Sequence, residues 1–139
     1  VLGGLDLGPS CPNLAGVDLS NIRYIKGQFT INGSGLQNLS LPSLETITEN
    51  VEISGTLLEN FDLNSGLKEI GGNVFVHAGF SAAAVDNLLQ RLVGLNGFGG
   101  TVLFEARTVT FDGASSPPTA AGIAAAATLT GRGCTVTTN

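Results

Sequence analysis

Eleven acidic side chains, one histidine and two cysteines are the groups with which this chain could do chemistry, and their spacing decides which chemistry is open. Asp18 and Asp62 fall at equivalent outward positions of two apolar-polar-apolar triplets, with Ser40 at the same position of a third triplet between them. If those triplets are neighbouring strands, the two acids stand two strand spacings apart, roughly 9.6 Å. That lies near the upper end of the ~6.5–9.5 Å with which inverting glycosidases flank a water and a scissile bond. A solvated outward position does nothing to raise one acid's pKa over the other's, and outward strand positions are polar for solubility alone. The expectation is therefore a contact surface of Asp18, Ser40 and Asp62, with a carbohydrate-active enzyme as a remote alternative.

His77 is the only histidine and has no cysteine near it in sequence, so neither a zinc site nor a Cys-His nucleophile has support. It is expected as a solvated turn residue matching Asn32 and Ser54. The chain contains no Gly-x-Ser-x-Gly elbow and no phosphate loop ending in Lys-Ser or Lys-Thr. No catalytic residue, metal ligand or cofactor is assigned. A second outward column, Thr30, Glu52 and Phe75, together with Tyr24 and Phe80, puts aromatics where another chain or a glycan could be touched.

The elements that would position these residues come from a repeat. One copy reads Leu14-x-x-Val17-x-Leu19-x-x-Ile22-x-x-Ile25-x-x-x-Phe29-x-Ile31. The next reads Leu36-x-x-Leu39-x-Leu41-x-x-Leu44-x-x-Ile47-x-x-x-Val51-x-Ile53. The third, Leu58-x-x-Phe61-x-Leu63, gains one residue and continues Leu67-x-x-Ile70-x-x-x-Val74-x-Val76. A period of about 22 residues implies a solenoid, in which equivalent strands lie side by side and parallel. Two strands per copy are predicted, at 17–19 and 29–31, 39–41 and 51–53, and 61–63 and 74–76, forming two parallel sheets with the remaining aliphatic columns between them. Gln28, Asn50 and Asn73 precede the second strand in every copy and read as a structural amide ladder. Glycines at 33 and 55 serve the sharp turns after it.

Residues 1–13 form the entry segment, with Leu5-Asp6-Leu7 as an edge strand, residues 14–79 the three repeats and 80–139 a C-terminal cap, all in one domain. In the cap, Val85, Leu88, Leu89, Leu92 and Val93 share one helical face over 81–93, with Ser81 as N-cap and Gly94 as stop. Strands are predicted at 101–104, 108–111 and 134–138, and an alanine-rich helix at 119–130. The fold class is thus α/β and β-rich, a right-handed parallel β-solenoid with a helix-strand-helix-strand cap.

Bulk composition narrows the partners. The net charge of −5 argues against nucleic acid, whose binders carry a basic footprint. No apolar run reaches the roughly 20 residues that span a bilayer, so no membrane insertion is expected. The chain starts at Val1 without a methionine anywhere, which points to processing or to a fragment. Cys11 and Cys134 lie near opposite ends of the repeat stack, roughly 20 Å apart at ~4.8 Å per layer. A disulfide needs Cα atoms within about 7 Å, so free thiols are expected, with bonds to neighbouring chains as the alternative.

The segment Leu41-Pro42-Ser43-Leu44-Glu45-Thr46-Ile47-Thr48-Glu49-Asn50-Val51-Glu52-Ile53-Ser54-Gly55, and its third-copy counterpart Leu67-Lys68-Glu69-Ile70-Gly71-Gly72-Asn73-Val74-Phe75-Val76, resemble the receptor L-domain branch of the leucine-rich-repeat solenoids. The closing stretches Gly99-Gly100-Thr101-Val102, Pro118-Thr119-Ala120-Ala121-Gly122-Ile123 and Leu129-Thr130-Gly131-Arg132-Gly133-Cys134-Thr135-Val136-Thr137-Thr138-Asn139 are similar to the end of leucine-rich surface proteins of bacteria and their phages. This second resemblance implies that Asn139 ends the protein and that the chain is a virion tail, fibre or decoration component. Its partners would be other virion proteins in a multi-copy assembly, or a host receptor or glycan. A bacterial cell-surface adhesion module is the alternative. Neither resemblance brings a catalytic motif.

Overall fold

The structure is a computed structural model that describes residues 3–8, 13–14, 17–33, 35–54 and 57–139, without the side chains of Asn60 and Asp62. Its elements in chain order begin with β1 (Leu5–Leu7), β2 (Tyr24–Ile25), β3 (Phe29–Asn32), β4 (Asn38–Leu41), β5 (Thr46–Ile47) and β6 (Val51–Ser54). They continue with β7 (Asn60–Leu63), β8 (Glu69–Ile70), β9 (Val74–His77), α1 (Ala82–Gly94), β10 (Thr108–Phe111), α2 (Ala120–Gly131) and β11 (Thr135–Thr137).

Alternation of apolar and polar residues makes the second strand of each repeat, and register follows from it, because a one-residue slip would turn the apolar set outward. Phe29, Val51 and Val74 stand side by side, as do Ile31, Ile53 and Val76, in parallel pairings of β3, β6 and β9. All six residues are at most 1% exposed. β1 adds to the β3 side, while β10 and then β11 extend the β9 side, giving a six-stranded sheet in the order β1-β3-β6-β9-β10-β11. Every described pairing in it is parallel. The protein is therefore an α/β protein organised on parallel sheet, and the expected edge strand at Leu5–Leu7 is present.

The first strand of the repeat is found in two copies and not in the third. β4 and β7 pair in parallel, with Leu39 opposite Phe61 and Leu41 opposite Leu63, whereas 17–19 forms no strand. There the Asp18 carboxylate accepts the Ser20 N–H at 2.9 Å, a local bond that competes with a ladder. A further three-stranded sheet, β2-β5-β8, was not expected; its strands are two residues long, too short to show alternation. Through Ile25, Ile47 and Ile70 it closes the core on another side. The predicted strand at 101–104 is instead extended chain that passes between neighbours. Val102 N–H donates to Lys68 O, Phe104 N–H to Leu95 O, and no run of bonds to one partner develops.

The amide ladder is real for two members. The Asn50 side-chain oxygen accepts the Asn73 N–H, and the Asn73 oxygen accepts the Thr108 N–H, each at 2.8 Å, so each amide satisfies a backbone donor one layer on. Gln28 instead donates its amide to Glu52 at 3.1 Å. Gly72 belongs to this close stacking: a Cβ there would stand 2.6 Å from the Asn50 backbone nitrogen. Of the expected turn glycines, Gly33 has φ 63°, while Gly55 lies outside the described residues.

The helices cover the C-terminal part of the core. Ser81 Oγ accepts the Ala84 N–H at 3.2 Å, and α1 buries Val85, Leu88, Leu89 and Leu92. Thr119 caps α2 through its side-chain oxygen. The two helices are tied at both ends. Asp86 of α1 accepts the Thr119 N–H at 2.9 Å and the Thr119 hydroxyl, while Arg132, just past α2, donates to Val93 O at 3.0 Å and Leu95 O at 3.4 Å. They therefore run in the same direction, with an anion at the start of α2 and a cation at the end of α1, as each dipole favours. Phe80, expected as an exposed aromatic, is fully buried: the chain turns inward at Ala78, and the Phe80 ring packs on Phe111 with centroids 6.5 Å apart. Cys134 is a buried free thiol; Cys11 lies outside the described residues.

Candidate functional site

Because β3, β6, β9, β10 and β11 send alternate side chains outward, the register of the six-stranded sheet sets out its surface as rows. One row is Asp6, Thr30, Glu52, Phe75, Thr110 and Thr137. The next carries Asn32, Ser54 and His77, each two residues further along its strand. Thr30, Glu52 and Phe75 are thus neighbours, as their spacing predicts. Thr110 and Thr137 extend them, and the alternation Thr108-Val109-Thr110 and Thr135-Val136-Thr137 was the sequence signal for that extension.

Within this face Phe75 is half-buried, and His77 stands beside it with ring planes 4° from parallel and centroids 6.4 Å apart. His77 closes β9 and contacts the Asp112 carboxylate through Nδ1. Both side chains remain open to solvent, at 42% and 45%. This pairing escapes a reading along the sequence, because 35 residues separate the partners. No lysine or arginine occupies an outward position of the six strands.

Tyr24 does not join this surface. It lies on β2 in the three-stranded sheet, its hydroxyl 3.4 Å from Glu45 and the Arg23 guanidinium 5.6 Å from its ring centre. Glu45 there bridges Arg23 and Lys68, the residues at its own repeat position one copy before and one copy after. Hydrogen bonds from Lys68 and Arg23 hold the Glu45 carboxyl down to about 2. This ladder was readable one column beyond Ile22, Leu44 and Leu67.

Asp18 and Asp62 are not brought into one ladder. Asp18 is exposed outside any strand, and the Ser20 hydrogen bonds lower its pKa. Ser40 stands exposed on β4 opposite Asp62 of β7; the Asp62 side chain lies outside the described residues. Where β4 and β7 begin is a hollow of about 230 Å³ lined by Gln37, Asn38, Leu57 and Glu59. Among the described residues no three His, Cys, Asp or Glu side chains converge on a metal position. No helix among the described residues is long and apolar enough to cross a membrane. No protein-family model, no curated protein and no solved structure matches the chain.

Proposed function

We propose that this chain is a non-catalytic binding platform on the outside of a bacteriophage particle, a tail, fibre or decoration component that meets neighbouring virion proteins or a host surface. Its repeats would be turns of a right-handed solenoid of the leucine-rich, receptor L-domain-like type. The observation that carries the reading is the outward face of the six-stranded sheet, where paired strands hold Thr30, Glu52, Phe75 and Thr110 in one row. Side chains fixed by a ladder lose little freedom on contact, so even modest contacts are converted efficiently into affinity.

Cross-linking the native particle with a carboxyl-reactive reagent, followed by mass spectrometry, tests the proposal. Links from carboxylates of this chain to virion proteins in a symmetric multi-copy complex are the expected outcome. Finding the chain as one module of a long cell-wall polypeptide would assign it to bacterial adhesion instead. The reading as a non-enzyme predicts that Asp62→Asn leaves glycan hydrolysis at the background of the untreated substrate, where the unmodified protein also stands.

A further inference from the structure

We infer that the Phe75 row is a binding surface for a neutral glycan. The inference rests on the platform reading above and names its ligand. Three features of the face converge on that chemistry. First, a half-buried aromatic ring stands at the centre of the row, flanked in register by Glu52 on one strand and Thr110 on the other. The negative face of such a ring attracts the slightly positive C–H bonds on one side of a pyranose. Second, hydrogen-bonding groups of both kinds surround it. The hydroxyls of Thr30, Thr110 and Thr137 make no hydrogen bond to another described residue, and each can donate and accept. Glu52 is steadied by the Gln28 amide at 3.1 Å on one carboxylate oxygen, which leaves the other as an acceptor, and Asp112 adds a second carboxylate beside His77. Third, the charge is one-sided, with Asp6, Glu52 and Asp112 but no lysine or arginine. An anionic polymer would be repelled.

A protein partner fits this surface less well. Protein interfaces centre on clustered apolar anchors, whereas here one ring stands in a field of hydroxyls and carboxylates. A hydroxyl-rich chain lying across the strands matches it: the row from Asp6 to Thr137 crosses five strand spacings, roughly 24 Å.

Affinity electrophoresis of the whole chain tests the inference, with gels containing dextran, galactomannan, mixed-linkage β-glucan or, as the anionic control, alginate. Retardation in at least one neutral gel and none in alginate is expected. Phe75→Thr, which keeps the strand propensity of its neighbours, should weaken that retardation at least tenfold, and Glu52→Gln severalfold. Ile123→Ser on α2 should leave it unchanged, and unaltered thermal melts should show that the variants are folded. Free migration of the unmodified protein in every neutral gel would overturn the inference, as would retardation that survives Phe75→Thr. Retardation in alginate as strong as in the neutral gels would do the same. Cross-links from this face to virion proteins, combined with free migration in all gels, would sink the glycan and keep the platform.

Discussion

Asp86 sits at 7% exposure, and a carboxylate in that position is tolerated because both of its oxygens are used. They accept the N–H and the hydroxyl of Thr119 at the opening of α2, where the helix dipole also favours negative charge. Asp86→Ala leaves the Thr119 N–H without its acceptor and should cost about 1–3 kcal/mol, read as a lower urea midpoint. The same carboxylate explains Gly122. Alanine there would gain about 1 kcal/mol in helix propensity. Its Cβ, however, would collide with Asp86 Oδ1 and stand 2.7 Å from Pro118 Cβ, and overpacking of this kind costs about 1–3 kcal/mol. Gly122→Ala should therefore destabilise, and less so when Asp86→Ala is also present. Strict additivity in that double-mutant cycle would mean the two residues do not share the space. Ala106 works in the opposite sense. With φ 50° it is the only described non-glycine residue in the left-handed region, so Ala106→Gly should raise the melting temperature, by about 1 kcal/mol of stability at most.

At the scale of elements, the three-stranded sheet is held from outside by the Arg23, Glu45 and Lys68 ladder. The Glu45 carboxyl, held at about 2 against an ordinary 4.5, favours the folded state above pH 4.5 and progressively loses that contribution as pH falls towards 2. Urea midpoints of the unmodified protein should consequently fall more steeply between pH 5 and 2 than those of Glu45→Gln. Equal slopes would show that the ladder is screened by solvent. Elements also mark how far the sequence could be read. The columns through Ile31, Ile53 and Val76 and the cap at Ser81 were legible because each is a periodic or local signal, whereas Thr119, read as the first residue of the second helix, is its cap. β2, β5 and β8 were not, since two residues carry no period. Phe80 misled because an aromatic after a strand looks the same in sequence whether the chain turns inward or outward. Of the outward face, Thr30, Glu52 and Phe75 followed from the repeat. The contact of His77 with Asp112 joins a repeat to the non-repeating part, where no period links the partners.

For the molecule as a whole, the question is whether repeats and helices behave as one body. The buried residues form one contiguous cluster from Leu19 to Cys134, with Phe61, Leu88, Phe104 and Leu129 in the same core as Ile25 and Ile53. A shared core couples the fates of its parts, because unfolding either end exposes apolar surface on the other. The chain provides its own probes of this. Tyr24 is its single tyrosine, there is no tryptophan, and Tyr24 lies in the first repeat beside Arg23 and Glu45. Helical signal at 222 nm comes instead from α1 and α2, 13 and 12 residues in the C-terminal part. In urea, tyrosine fluorescence and helical dichroism should trace one transition with a single midpoint. A Tyr24 transition clearly preceding the loss of helix would divide the molecule into two folding units. The row from Asp6 to Thr137, which spans both, would then no longer be held as one rigid face, and the binding platform would have to be narrowed to the strands on one side of the break.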